Sequence, residues 1–235
     1  MKFQRFAHDA FCYTSAGALI WRTASGERMD KRSRWTIRSL GLILTAVHVG
    51  CSHSAARLEQ PKYRSDSGKA AVEQFDRNSD GAIAVSELEA SPALKIALPR
   101  IDYDHDGSVK ADEINRAVSA WVNTRVASMP VMATISLDGR PLSGADVTLE
   151  PERFLGEFVQ LAYGKTDSEG FTTLSCSNSP VHGVQLGWYR VIVSKKNGER
   201  ETISERFNSK TELGLEVTPE NAMGLTRVVW NVRSQ

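Results

Sequence analysis

Apolar residues follow three different spacings along the chain. Residues 40–50 (LGLILTAVHVG) form an uninterrupted apolar run. Between residues 66 and 125 the apolar positions recur at helical spacing, and after residue 130 they fall in short β-type runs separated by turns. The pattern therefore predicts a leader, a helical segment and a β segment, in that order.

The apolar run 40–50 is too short to span a bilayer as a helix and has the length of a signal-peptide core. Four basic residues precede it: Lys31, Arg32, Arg34 and Arg38. Cys51 follows directly and resembles the lipidated cysteine of a bacterial lipobox, although His48 stands where that motif usually has Leu or Val. We expect export, with a lipid on Cys51 and a signal peptide over 29–51.

The first 28 residues place a mixed polar stretch in front of this signal. We interpret residues 1–28 as an over-extended gene start, with translation beginning at Met29. The alternative is a long unstructured leader. Residues 52–65 are predicted to be a polar tether in which nothing requires packing.

Two stretches of the helical segment carry oxygen-bearing side chains at the same spacing. Loop 76–87 has Asp, Asn, Asp and Glu at positions 1, 3, 5 and 12, and loop 102–113 has Asp, Asp, Asp and Glu there, with Gly at position 6 of each. This spacing is that of an EF-hand calcium loop, in which position 7 adds a backbone carbonyl. The predicted ligands are Asp76, Asn78, Asp80, Ala82 (carbonyl) and Glu87, and Asp102, Asp104, Asp106, Ser108 (carbonyl) and Glu113.

The residues around the two loops agree with a paired arrangement. Ile83 and Val109 both occupy position 8, where paired EF-hands join through a two-stranded bridge. By ligand charge we expect the second loop to bind calcium more tightly, but Lys110 at its position 9 offsets part of that advantage. The alternative is a pair of solvated acidic turns with no ion. Since residues 66–125 contain no Met, we favour structural or buffering calcium over a sensor.

The segment after residue 130 predicts an all-β sandwich of about seven short strands. The predicted runs are 131–137, 145–151, 172–175, 188–194, 213–217 and 225–232. The stretches ISLDGRPLSGADVTLEP, GKTDSEGFTTL and GWYRVIVS resemble the carboxypeptidase-regulatory-like, transthyretin-type domain. ISERFNSKTELGLEV resembles a turn in small envelope lipoproteins of planctomycete-like bacteria that carry this domain. The resemblance covers 130–233 and implies a fold, not a function.

Several features of the β segment allow two interpretations. The aromatic residues Phe171, Trp188, Tyr189 and Trp230 favour packing over a sugar-binding platform. The insertion 150–164 (EPERFLGEFVQLAYG) is expected to be a mobile loop, with a binding surface as the alternative.

Catalytic patterns are missing from the sequence. The transthyretin-like hydrolases and the intradiol dioxygenases need several histidines, whereas the β segment has only His182, and it has no Gly-x-Ser-x-Gly elbow. We therefore expect no enzyme activity. His182 and His105 are expected to be solvent-facing loop residues.

Composition narrows the remaining possibilities. The net charge is +1, and the basic excess lies in residues 1–50, which hold eight Lys/Arg against three Asp/Glu, so nucleic-acid binding is not indicated. The three cysteines are far apart, which leaves no readable zinc or disulfide set, and Cys176 is expected to be a buried thiol.

The sequence as a whole predicts a multidomain α plus β protein, with an EF-hand pair at 66–125 and a transthyretin-like sandwich at 130–233 that fold separately. The expected function is that of an exported, membrane-tethered calcium-binding module of the cell envelope, whose sandwich contacts an envelope protein or carbohydrate. The alternative is a calcium-dependent accessory subunit of an envelope enzyme.

Overall fold

The structure is a computed structural model and describes residues 60–176, 183–220 and 226–234. The predicted leader and signal peptide, Cys51 and His182 lie outside these residues. His53–Gln235 form one compact unit. Its described part contains three α-helices: α1 Ser67–Phe75, α2 Pro92–Ile101 and α3 Ala111–Thr124. None of the described helices is long and apolar enough to cross a membrane.

The helices alternate with two short strands that pair with each other. Strand β1 (Ala82–Ala84) follows α1, strand β2 (Ser108–Lys110) follows α2, and the two are antiparallel with Ile83 opposite Val109. A single 3-10 turn separates β1 from α2. Pro92 occupies the first turn of α2, where its fixed φ and missing N–H are tolerated.

The rest of the chain is β-rich, as the sequence predicts. Each predicted run is a strand, and a short strand inside the insertion was not predicted. The strands are β3 Val131–Leu137, β4 Arg140–Pro141, β5 Asp146–Pro151, β6 Ala162–Lys165, β7 Phe171–Cys176, β8 Gly187–Ser194, β9 Lys196–Asn197, β10 Arg200–Glu201, β11 Gly214–Val217 and β12 Thr226–Val232. The large sheet has the order β11-β8-β5-β6-β7-β3-β12, with β4 on β3, and it curls into a sandwich-like fold. The pairing of β12 with β3 is parallel, whereas the other pairings along the sheet are antiparallel.

The helices pack on the outer face of one end of this sheet. Side chains alternate along β8, so that Tyr189 and Val191 face the inside of the curl while Trp188 faces the helices. The helix and sheet backbones approach closely at Gly214 of β11, where an added Cβ would lie 2.4 Å from the backbone of Pro92 and Ala93. The protein therefore has a helical layer on a curled sheet, with one continuous core.

Two expectations about irregular segments need correction. The predicted tether 52–65 is packed from Gln60 onward: Pro61 is buried, and the hydroxyl of Tyr63 donates to the Leu186 carbonyl at 2.9 Å. The insertion 150–164 is not a free loop, because Phe154 is fully buried between the helices and the sheet. Each segment contains an aromatic residue that packs on partners far away in sequence: Tyr63 is partly buried and Phe154 is fully buried.

Candidate metal centre

The first acidic loop is folded around the carboxylate of Asp76. Ser79 N donates to Asp76 Oδ1 at 2.6 Å, and Gly81 N donates to Asp76 Oδ2 at 2.9 Å. These bonds need a tight turn, and the backbone provides it with positive φ at Ser79 (61°) and Gly81 (91°). Gly is the residue that adopts such angles most readily, which explains its place at position 6.

The second loop repeats this arrangement. Gly107 N donates to Asp102 Oδ2 at 2.9 Å, and Asp106 N donates to Asp102 Oδ1 at 3.2 Å. The positive φ values again fall at positions 4 and 6, at His105 (60°) and Gly107 (83°). The ligand-type oxygens of Asp102, Asp104 and Asp106 lie within 4.8 Å of one another.

The glutamate at position 12 of each loop hydrogen-bonds back to the backbone of its own loop. Glu87 Oε1 accepts from Arg77 N at 2.7 Å, and its Oε2 accepts from Ala84 N at 2.9 Å. Glu113 accepts in the same way from Tyr103 N at 2.7 Å and Lys110 N at 2.9 Å. Both glutamates are buried. A carboxylate is thus held at the same place in each loop by the backbone N–H groups of positions 2 and 9, and Asn78 N adds a longer bond of 3.3 Å to Glu87 Oε1 in the first loop.

The second loop also contains its own cation. Lys110 Nζ lies 2.6 Å from Asp104 Oδ2 and forms an ion pair with Asp106 as well. Hydrogen bonds from Lys110 lower the pKa of Asp104, and those from Lys110 and Ser108 lower the pKa of Asp106 to about 2. The two aspartates in turn raise the pKa of Lys110. Lys110 shows that the oxygens of this loop converge on a position suited to a positive charge.

The donor set of both loops fits calcium. Each loop offers carboxylate or amide oxygens together with the carbonyl at position 7 (Ala82 or Ser108), and hard oxygen ligands are what Ca²⁺ prefers. In the first loop Asn78 Nδ2 donates to Asp80 Oδ2 at 2.7 Å, so these two ligand candidates are also in contact. Nitrogen and sulfur ligands are not part of either predicted set, and His105 is exposed, as expected.

Aromatic side chains join the helical layer to the sheet. The rings of Trp121 in α3 and Trp188 in β8 have centroids 4.4 Å apart. Phe154 lies between Phe75 and Trp188 at centroid distances of 6.2 and 5.8 Å, edge-on to Phe75 and tilted to Trp188, and the ring of Tyr63 lies 5.9 Å from that of Trp121. The two loops therefore belong to a helical layer whose apolar face is already covered by the sheet and the insertion.

A charged contact joins the second loop to the same sheet. Arg100, two residues before Asp102, donates through Nε to Glu216 Oε2 at 2.9 Å, and Trp188 Nε1 donates to Glu216 Oε1 at 2.8 Å. Arg100 and Glu216 are largely buried, so their pairing fixes the position of α2 on β11. Because of these contacts we no longer expect the segments 66–125 and 130–233 to fold separately.

Sequence reasoning missed one buried acid at this interface. Glu152 is 2% exposed, and Ser91 Oγ donates to its Oε1 at 2.8 Å. Burial raises the pKa of Glu152 to about 7. Cys176, in contrast, is buried as predicted, and its burial raises the pKa of the thiol.

No family model and no curated protein matches this chain. Among solved structures it is similar to the major pilin subunit of Bacillus cereus, with 12% identity over 45% of this chain and 30% of that chain, at a TM-score of 0.31. A DUF3823 family protein from Parabacteroides merdae has 10% identity over 46% of each chain (TM-score 0.28), and a major plantain pollen allergen has 14% identity over 46% of this chain and 95% of that chain (TM-score 0.30). The match thus spans less than half of the first two proteins, and TM-scores near 0.3 carry no information on function.

Proposed function

We propose that this protein is an exported calcium-binding protein of the cell envelope and that loops 76–87 and 102–113 are a pair of EF-hand sites. The observation that carries the proposal is the repetition between the loops. In both, the position-1 aspartate accepts from the Gly at position 6, and the position-12 glutamate accepts from the N–H groups of positions 2 and 9. Ile83 and Val109 pair at position 8.

The chain's own residues would hold the ions as follows. The side chains of Asp76, Asn78, Asp80 and Glu87, with the Ala82 carbonyl, would bind the first ion. The side chains of Asp102, Asp104, Asp106 and Glu113, with the Ser108 carbonyl, would bind the second. Calcium would supply positive charge to these acidic loops, so that its binding stabilises them.

A structural role for calcium fits this fold better than a switching role. Sensor EF-hands open to expose an apolar groove for a target helix. Here the apolar face of the helical layer is already occupied by the sheet and the insertion, since Trp121 packs on Trp188 and Phe75 on Phe154. Calcium in the two loops would therefore stabilise a helical layer that is already packed on the sandwich-like domain.

The envelope assignment rests on the sequence. The basic and apolar residues before Cys51 are typical of an exported lipoprotein. A Cys51→Ser variant is expected to leave the membrane fraction while keeping its calcium binding. If the variant stayed in the membrane fraction, the lipid assignment would be wrong.

A comparison of two divalent ions tests the calcium role directly. Thermal unfolding should shift upward with calcium at ~10⁻⁴ to 10⁻³ M, the range of extracellular calcium modules, and a free concentration about ten times the Kd would add roughly 1.4 kcal/mol per site. Magnesium at the same concentration should shift it less, because Mg²⁺ requires a smaller octahedral site. Equal shifts from the two ions would count against EF-hand sites.

A further inference from the structure

A groove opens on the side of the molecule where residues 62–64, its N-terminal wall, meet the insertion 150–164. Its volume is about 680 Å³, within the range of roughly 300 to 1,000 Å³ typical of small-molecule sites. Phe158 and Leu161 line it and leave 63% and 42% of their surface exposed, while Val159 between them is buried. Two large apolar side chains are thus presented to solvent by a loop that is itself anchored in the core.

The walls of the groove are fixed in place. Arg64 N donates to the Leu155 carbonyl at 3.1 Å, which joins the N-terminal wall to the insertion. Gly156 allows this contact: its φ is +100°, and an added Cβ would lie 3.1 Å from Arg64 Cγ. Below them, Tyr63 is held by its hydrogen bond to the Leu186 carbonyl. The groove is therefore preformed, which lowers the entropic cost of binding a ligand.

Two of the charged groups that line the groove are neutralised by neighbours. Arg64 forms two hydrogen bonds of 2.8 Å with Asp66, and Glu150 lies 3.7 Å from Arg190. Neither pair leaves a net charge at the rim.

The remaining charges give the rim a positive excess. Lys62 and Arg153 line the groove, and neither forms an ion pair with any residue that the structure describes. Arg153 also acts electrostatically on the neighbouring Glu152, but that carboxyl is buried and does not line the groove. Glu157 is the acid that remains, and it is exposed. Two cations against one carboxylate leave a surplus of one positive charge beside an apolar surface.

We propose that this groove binds a single amphiphile with an extended apolar body and one anionic group. The apolar body lies along Phe158 and Leu161, and the anionic group is bound by Lys62 and Arg153. Apolar contact supplies most of the affinity, and the cations select the charged end. The groove contains no residue of the calcium loops, so this proposal is independent of the calcium sites.

The test uses the calcium-loaded chain and two fluorescent probes, dansyl-undecanoic acid and its methyl ester. The acid should bind about tenfold more tightly than the ester, the difference expected for one charge-assisted hydrogen bond. Arg153→Gln should remove most of that preference, whereas Lys210→Gln, which removes a cation elsewhere on the surface, should not. Phe158→Ser should weaken both probes about tenfold, whereas Val229→Ser, at a site 69% exposed, should leave both unchanged.

Three results would overturn the proposal. The first is equal affinity for acid and ester, and the second is an equal loss in the Phe158 and Val229 variants. The third is binding to phosphatidylglycerol vesicles without binding of either free probe, which would make this face a membrane contact instead of a ligand site. Failure of the calcium sites would appear in calcium titrations and would not alter these readouts.

Discussion

Replacement of Phe154 by Ala tests whether the helical layer and the sheet are one cooperative structure. Phe154 is 1% exposed and packs between Phe75 of α1 and Trp188 of β8. Removal of a buried Phe side chain costs about 3 to 5 kcal/mol once the cavity is included, and lost aromatic pairs contribute about 0.5 to 1.5 kcal/mol each to such losses. We expect Phe154→Ala to lower the free energy of unfolding by about 4 kcal/mol.

The assay is denaturant unfolding in saturating calcium, followed by two signals. Tryptophan fluorescence reports in part on the interface, since two of the five tryptophans, Trp121 and Trp188, have ring centroids 4.4 Å apart across it. Far-UV circular dichroism reports on all helices and strands. The two curves should coincide for both proteins. Phe158→Ala is the matched control, because Phe158 lies on the same loop but is 63% exposed, and it should change stability by less than about 1 kcal/mol.

Separate transitions in the two signals would show that the helical layer and the sheet do not unfold together. If the helical layer unfolded first and the sheet later, the aromatic interface would contribute little, and two independently folding domains would be the correct description. A loss below about 1 kcal/mol for Phe154→Ala would lead to the same conclusion.

Two further predictions concern single charged groups. The pKa of Glu152 is about 7 in the folded protein against an ordinary value of 4.5, so the folded state holds this proton more tightly than the unfolded state does. The free energy of unfolding should therefore fall as pH rises from about 4.5 to about 7. Glu152→Gln should not show this fall when both proteins are denatured across this pH range. Parallel pH profiles for the two proteins would contradict the prediction. Lys110→Gln should raise the calcium affinity of the second loop about two- to fivefold in calorimetry, because calcium no longer has to displace the ammonium group from two aspartates. An unchanged or lower affinity would contradict this prediction.

Local patterns predicted much of the fold. Strand β3 has the bounds that alternation indicates, 131–137, and the run 188–194 matches β8 to within one residue. The bridge between Ile83 and Val109 follows from their equal positions in two equal loops. β6 was missed because its four residues, AYGK, are few and contain a Gly, which weakens the strand signal.

The grouping of the acidic side chains of one loop was predictable for the same reason, since they lie within twelve consecutive residues. The structure brings Asp102, Asp104 and Asp106 together as the spacing indicates. The position of Lys110 in the loop predicts that its charge offsets part of the calcium affinity. Its direct ion pairs with two of these aspartates were not predictable, because the direction of a long side chain is not fixed by sequence spacing.

The interface between helices and sheet could not be read from the sequence. Arg100 and Glu216 are 116 residues apart, and neither is unusual in its own segment. Trp188 belongs to a regular alternating strand, so its position on a buried outer face depends on helices that lie far away in the chain. Because of this long-range packing, residues 53–235 form one compact unit and not the two separate domains that the sequence predicts.

Calcium binding by the two loops can be measured by calorimetric titration of calcium into the wild-type chain and the double variant Glu87→Gln, Glu113→Gln. The substitutions keep the size of both side chains but remove the bidentate carboxylates. The wild-type chain should bind two calcium ions, and the double variant should lose affinity at both sites while its far-UV spectrum in calcium-free buffer stays that of the wild type. If the double variant still binds two calcium ions with unchanged affinity, loops 76–87 and 102–113 are not the calcium sites and the account is wrong.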